Sequence, residues 1–126
     1  MEDELTFFFD SYALIEIYEK NLNYEKYAKA NVVTSYFQVY EVYHSLIRNG
    51  YSKEEIKDFF EFLQNLCIEL NFDWIPASVE FRKEHKKMEL SYADCLGYVI
   101  ARELNIKFLT GDKEFEDLPN VEFVKK

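Results

Sequence analysis

Four acids, Asp10, Glu41, Asp94 and Asp112, each stand where a strand or loop hands over to a helix in the pattern of this chain. In an open parallel α/β sheet, residues just past the C-terminal strand ends converge on one crevice, so acids distant in sequence can meet in space. Carboxylates brought together repel one another and call for a hard divalent cation, which oxygen ligands suit. The chemistry such a group supports is metal-assisted hydrolysis of a phosphodiester bond.

Each acid also has a purely structural alternative. Asp10 directly follows Phe7-Phe8-Phe9 and either caps the next helix or points into the crevice. Glu41 lies in Val39-Tyr40-Glu41-Val42-Tyr43, where a buried Glu needs a partner and an exposed one does not. Asp94 is third after Ser91, a helix-capping spacing, and Asp112 follows Thr110-Gly111, where a turn Asp is commonplace. No single acid decides the matter; their shared placement carries the reading.

The elements that must position them follow from apolar pattern and punctuation. Leu5 to Phe9 reads as a buried strand, followed by a helix over about 12–29. Val32 to Thr34 reads as a second strand, with Ser35 capping a helix over 36–48 that ends at Asn49-Gly50. Ser52-Lys53-Glu54-Glu55 is a capping box opening a helix to about Leu70, with Ile56, Phe59, Phe60, Leu63 and Leu66 on one face. Phe72 to Ile75 reads as a third strand closed by Pro76, and Ser78 starts a helix to about Met88. Ser91 opens another through Leu104; Lys107 to Thr110 is a strand, Gly111-Asp112 a turn, and Val121 to Val124 an edge strand. Strands alternating with helices predict a mostly parallel sheet wrapped on both faces.

A length of 126 residues predicts one domain over 1–126, with core enough to fold without disulfides. Three Gly and two Pro leave little room for linkers or low-complexity segments. Twelve Phe and ten Tyr exceed what a core of this size needs, so a subunit interface, and with it a homodimer, is expected. Cys67 and Cys95 sit in apolar helical stretches without zinc spacing and read as buried free thiols. The start Met1-Glu2-Asp3-Glu4 is acidic where a signal peptide would be basic, and no apolar run approaches membrane-spanning length, so a cytoplasmic protein is expected. The net charge of −9 argues against broad electrostatic affinity for nucleic acid, though catalytic acids contribute to it and bound cations would invert it locally.

Taken in order, Phe9-Asp10-Ser11-Tyr12-Ala13-Leu14-Ile15, then Ser35 and Glu41, then Leu90-Ser91-Tyr92-Ala93-Asp94-Cys95 with Ala101, and Phe108-Leu109-Thr110-Gly111-Asp112-Lys113-Glu114-Phe115, resemble the PIN-domain family and within it the VapC-like ribonuclease toxins. The resemblance covers nearly the whole chain. It implies a three-layer α/β/α domain whose acids bind Mg²⁺ or Mn²⁺ and which cuts RNA, with a small antitoxin protein as partner. By motif, Asp10, Glu41, Asp94 and Asp112 take the catalytic places; Asp10, Asp94 and Asp112 are the metal ligands, and Glu41 is either a ligand or the base. Ser11 and Thr110 are the secondary, hydroxyl-bearing helpers. Strong acidity and aromatic richness depart from the family pattern.

Other residues carry weaker signals. Glu114, Glu116 and Asp117 follow the last acid but read as solvent-facing, and His44 and His85 lack a metal-ligand partner. Arg82-Lys83-Glu84-His85-Lys86-Lys87 is the one dense basic stretch, either a solvated helix face or a contact for RNA phosphates or an acidic partner. Tyr36, Phe37, Tyr40 and Tyr43 either stack bases or fill the core and a dimer face. Competing phosphoryl enzymes fit less well: a haloacid-dehalogenase-type phosphatase needs a second Asp where Tyr12 stands, and a receiver domain needs an acidic pair and a late Lys that are missing. A non-toxin RNA-processing nuclease and a non-catalytic interaction module on the same fold remain as alternatives.

Overall fold

Four short strands point their C-terminal ends the same way. A computed structural model describes residues 5–125, with the acidic start Met1-Glu2-Asp3-Glu4 outside them. β1 (Thr6–Phe9), β2 (Asn31–Val33), β3 (Lys107–Thr110) and β4 (Val121–Phe123) pair in the order β2-β1-β3-β4, every pair parallel. The register sets Phe8 opposite Phe108 and Phe9 opposite Leu109. Because side chains alternate across a strand, Phe7, Phe9 and Leu109 enter one core while Phe8 and Phe108 enter the other. Strands this short form because both faces are covered, each buried Phe contributing roughly 2–3 kcal/mol.

Among the described residues five α-helices cover the two faces, making three layers. α1 (Ser11–Tyr18), α2 (Tyr36–Arg48) and α3 (Lys53–Gln64) send Leu14, Val42, Leu46, Ile56 and Leu63 into the first core. α4 (Trp74–Glu84) and α5 (Tyr92–Glu103) send Phe81, Cys95, Leu96, Val99 and Ile100 into the second. The expected α3 face is as read: Ile56 and Leu63 are buried, with Phe59, Phe60 and Leu66 packed beside them. α5 lies close on the sheet because Gly97 has no side chain; a Cβ there would come 2.8 Å from the Phe8 ring.

Several expected boundaries need correction. The first helix stops at Tyr18, where Lys20 turns left-handed (φ 59°), and Asn21 caps a separate 3₁₀ segment over Leu22–Tyr27. α3 ends at Gln64 rather than near Leu70, since Thr34 and Cys67 pair as a parallel bridge. Cys67 is therefore half-buried outside a helix, while Cys95 is buried within α5. Phe72–Ile75 is not a strand. α4 begins at Trp74 and carries Pro76 in its first turn, where a missing N–H costs nothing. That helix ends at Glu84, and a 3₁₀ turn covers Lys86–Met88. Among the described residues no helix is long and apolar enough to cross a membrane.

Candidate active site

Asp10 ends β1 and begins α1, and it performs both of its sequence-derived roles. Its backbone N–H is held by Leu109 O at 3.2 Å, its Oδ1 caps α1 by accepting from Ala13 N at 2.8 Å, and its Oδ2 accepts from the Thr110 hydroxyl. The residue is 2% exposed. Burial, helped by the charges of Asp94 and Asp112, pushes its carboxyl up to about 8 against the lowering effect of the Thr110 and Ala13 bonds.

Thr110, buried at the end of β3, links two acids. Its Oγ1 donates to Asp10 and accepts from the Asp112 backbone N–H at 3.0 Å. Asp112 in turn caps the following 3₁₀ turn through Glu114 N at 3.0 Å. Glycine lets the chain pass this point without displacing its neighbours: a Cβ on Gly111 would collide with the Tyr12 ring and the Tyr24 hydroxyl. Tyr24 is itself fixed by donating to Val124 O at 2.8 Å.

Ser91 and Asp94 form a complete capping box at the start of α5, with Asp94 N reaching Ser91 Oγ at 3.0 Å and Ser91 N reaching Asp94 Oδ2 at 3.3 Å. Asp94 still lines the cleft. Burial, then the neighbouring Glu41 and Asp112 charges, push its carboxyl up to about 6 against the Ser91 bonds. Glu41 lies a turn and a half inside α2, not at a strand-to-helix junction, and is half-buried. Ser11 Oγ donates to its Oε1 at 3.0 Å and Ser91 Oγ to its Oε2 at 3.3 Å. The partner that a Glu in this apolar helix requires is thus a pair of hydroxyls.

The four acids line one open cleft of about 450 Å³, together with Ser11, Tyr12, Ser91, Glu16 and Glu19, and among the described residues Arg48 is its only cation. A larger cavity of about 800 Å³ lies at the opposite, N-terminal strand ends around Lys26, Lys29 and Lys107; among the described residues its one acid is Glu122. Chemistry, not size, singles out the smaller one. Its donors are hard oxygens, and the upward push on Asp10 and Asp94 includes the repulsion that a divalent cation relieves. Among the described residues, however, no three His, Cys, Asp or Glu side chains already enclose an ion-sized position. The donor set fits Mg²⁺ or Mn²⁺ in kind, as a shared cleft rather than a closed coordination shell.

Glu16 and Ser91 are among the residues of this cleft that the sequence reading did not assign to it. Glu16 is 5% exposed and accepts from Asn21 Nδ2 at 2.5 Å. The signal was present in Ala13-Leu14-Ile15-Glu16-Ile17, an acid in an apolar run like Glu41. Ser91 read only as a cap. The remaining candidates fall elsewhere: Glu114, Glu116 and Asp117 are exposed, and His44 lines a separate hollow with Tyr40, Tyr43, Ile47 and Phe60. His85 packs on Phe81, ring centroids 4.2 Å apart. Of the aromatic stripe, Tyr36, Phe37 and Tyr40 are 66%, 50% and 78% exposed, so these three do not fill the core; only Tyr43 packs against it.

The PIN domain profile matches residues 7–121. Three solved structures share the fold at low identity. A toxin–antitoxin complex from Klebsiella pneumoniae is 19% identical, with a TM-score of 0.73, covering 92% of this chain and 95% of that one. The sarcin-ricin loop cleaving toxin VapC20 from Mycobacterium tuberculosis is 17% identical, with a TM-score of 0.73 and coverage of 94% and 98%. VapBC2 from Rickettsia felis, bound to a DNA fragment from their promoter, is 14% identical, with a TM-score of 0.68 and coverage of 96% and 98%. No curated protein matches the chain in sequence. The parallel sheet in the order β2-β1-β3-β4, its helical layers and the profile match over most of the length agree: this chain belongs to the PIN domain family of nucleases.

Proposed function

We propose that this PIN domain is a divalent-metal-dependent endoribonuclease and the toxin of a toxin–antitoxin pair. The observation that carries the nuclease reading is the convergence of Asp10, Glu41, Asp94 and Asp112, from four separate elements, on one cleft. The toxins among its structural neighbours support the second part. On this reading the protein works in the cytoplasm on RNA, is held in check by a small antitoxin, and pairs as a homodimer through some of its exposed aromatic surface.

In the proposed mechanism, Asp10, Asp94 and Asp112 would hold Mg²⁺ or Mn²⁺, with Thr110 and the Ala13 N–H orienting Asp10 and Ser91 orienting Asp94. A cation bound there would neutralise charge at the scissile phosphate and lower the pKa of a nearby water. Glu41 accepts the water's proton. Each of its oxygens takes one serine hydroxyl bond, which orients the carboxylate and leaves a lone pair free. Ser11 and Ser91 are positioning residues for that base.

Cleavage of single-stranded RNA, assayed with Mg²⁺, with Mn²⁺ and with EDTA, tests this reading. Glu41→Gln keeps the side chain's shape but removes the charge and the basicity. It should fold normally and lose cleavage by about 100-fold or more, the scale of general-base catalysis. Metal-independent cleavage, or a Glu41→Gln variant as fast as the wild type, would refute the assignment.

A further inference from the structure

The cleft repels the molecule it is proposed to cut. Among the described residues Arg48 is the one cation there against Asp10, Glu16, Glu19, Glu41, Asp94 and Asp112, in a chain of net charge −9. A polyanion therefore needs its grip elsewhere, close enough to feed the acids. Resting on the nuclease reading, we propose that the end of α4 and the turn after it, Arg82, Lys83, Lys86 and Lys87 with Tyr92, form the surface that binds single-stranded nucleic acid and leads it into the acid cleft.

Three observations join at this place. The Arg82 guanidinium lies 4.5 Å from the centroid of the Tyr92 ring, and its Nε donates to Leu90 O at 3.0 Å, which fixes the guanidinium in that stack. Tyr92 remains 76% exposed and is the neighbour of Ser91, with Asp94 two residues on, both lining the cleft. The stacked ring thus stands next in the chain to a residue of the acid cleft, and a ring beside a cation is the combination of base platform and cationic track used for single strands.

The cations are also available. Among the described residues the only ion pair is Lys107–Glu122, so neither Glu84 nor Glu89, in the same stretch, neutralises Arg82, Lys83, Lys86 or Lys87 directly. All four side chains are exposed. The other lysine group, Lys26, Lys29 and Lys107, opens at the opposite end of the sheet, and Lys107 is the one paired with Glu122. Of the two groups, the α4 set is the one linked, through the Arg82–Tyr92 stack, to the chain that enters the cleft at Ser91 and Asp94.

The test is equilibrium binding of a short fluorescein-labelled oligouridylate, read by anisotropy in EDTA at low salt and across a salt series. Combined Lys83→Gln, Lys86→Gln and Lys87→Gln should weaken binding by about 10-fold or more and flatten the log–log salt slope by about 2, near 0.7 for each of three lost phosphate contacts. Tyr92→Ala should weaken binding by about 5- to 100-fold with the slope kept. Combined Lys26→Gln and Lys29→Gln, at the far end of the sheet, should stay within about 2-fold of the wild type, which separates local grip from overall charge. Wild type that does not bind, patch variants that bind as wild type, or a far-end variant that weakens equally would each overturn the proposal. Patch variants that lose only an acidic protein partner would overturn it too. Because no metal is present, a failure of cleavage would count against the nuclease reading alone.

Discussion

Replacing Asp10 by Asn should stabilise this protein, and more so as the pH rises. Asn fits the same place: its Oδ1 can still accept from Ala13 N, and the Thr110 hydroxyl can rotate to accept from Nδ2. What is removed is a buried charge. Well below pH 3.8 the Asp10 carboxyl is protonated in both folded and unfolded chains and costs nothing. Between pH 4 and 8 the unfolded chain, titrating near 3.8, has released the proton while the folded chain, titrating at about 8, keeps it. The folded state then binds more protons, so stability falls as pH rises through this window. A shift of about four decades at ~1.4 kcal/mol each sets the full loss at about 6 kcal/mol, most of it reached by pH 8. The Asn variant escapes it. Urea unfolding of the two proteins in EDTA from pH 4 to 8 should show a difference near zero at the acid end. It should grow to several kcal/mol in favour of the variant at pH 8. Adding Mn²⁺ should then raise only the wild type, by about 2.7 kcal/mol at a hundredfold excess over its dissociation constant. A difference that stays constant over this range, or an Asn variant less stable at pH 8, would refute the reasoning that burial and neighbouring acids raise this carboxyl.

Mn²⁺ affinity, followed by calorimetry in buffers of different ionisation enthalpy, should rise with pH between 6 and 8 with proton release, and Asp94→Asn should abolish most of it; binding without proton release would contradict a ligand role for Asp10. Gly111→Ala should cost about 1–3 kcal/mol in urea unfolding, since the new methyl must displace Tyr12 or Tyr24, and a loss under about 0.5 kcal/mol would show that the contact yields freely. Light scattering should return about twice the 15.2 kDa chain mass at micromolar concentration, as expected if exposed Tyr36, Phe37, Tyr40 and Phe62 include a self-contact; a monomer throughout would refute dimerisation.

Much of the scaffold was legible because its signals are local. Ser52 with Glu55 and Ser91 with Asp94 are complete capping boxes that read directly from spacing, and Phe7-Phe8-Phe9 with Phe108-Leu109 are short enough and apolar enough to be central strands. Where local signals were ambiguous, packing decided. Phe72 to Ile75 has strand composition, yet Trp74, Ala77 and Phe81 fall on one helical stripe that meets the second core, and the helix forms through Pro76. The third helix ends early because Cys67 and Ile68 are drawn to Thr34, a contact spanning more than thirty residues that no window of sequence contains.

The site divides the same way. Its acids, their order and the placement of three of them beside strand ends and helix starts were open to reading from residue types alone, and so was the family. That Glu41 faces two serine hydroxyls, that Glu16 lies buried in the same cleft, and that the Arg82 guanidinium stacks on Tyr92 depend on which faces of the helices meet. The protonation of Asp10 belongs to this second class. Its carboxyl departs from ordinary carboxylate behaviour only because β1 and β3 lie side by side, bury it beneath Thr110, and bring Asp94 and Asp112 near it, so the charge is set by a low-dielectric neighbourhood that exists only in the folded chain.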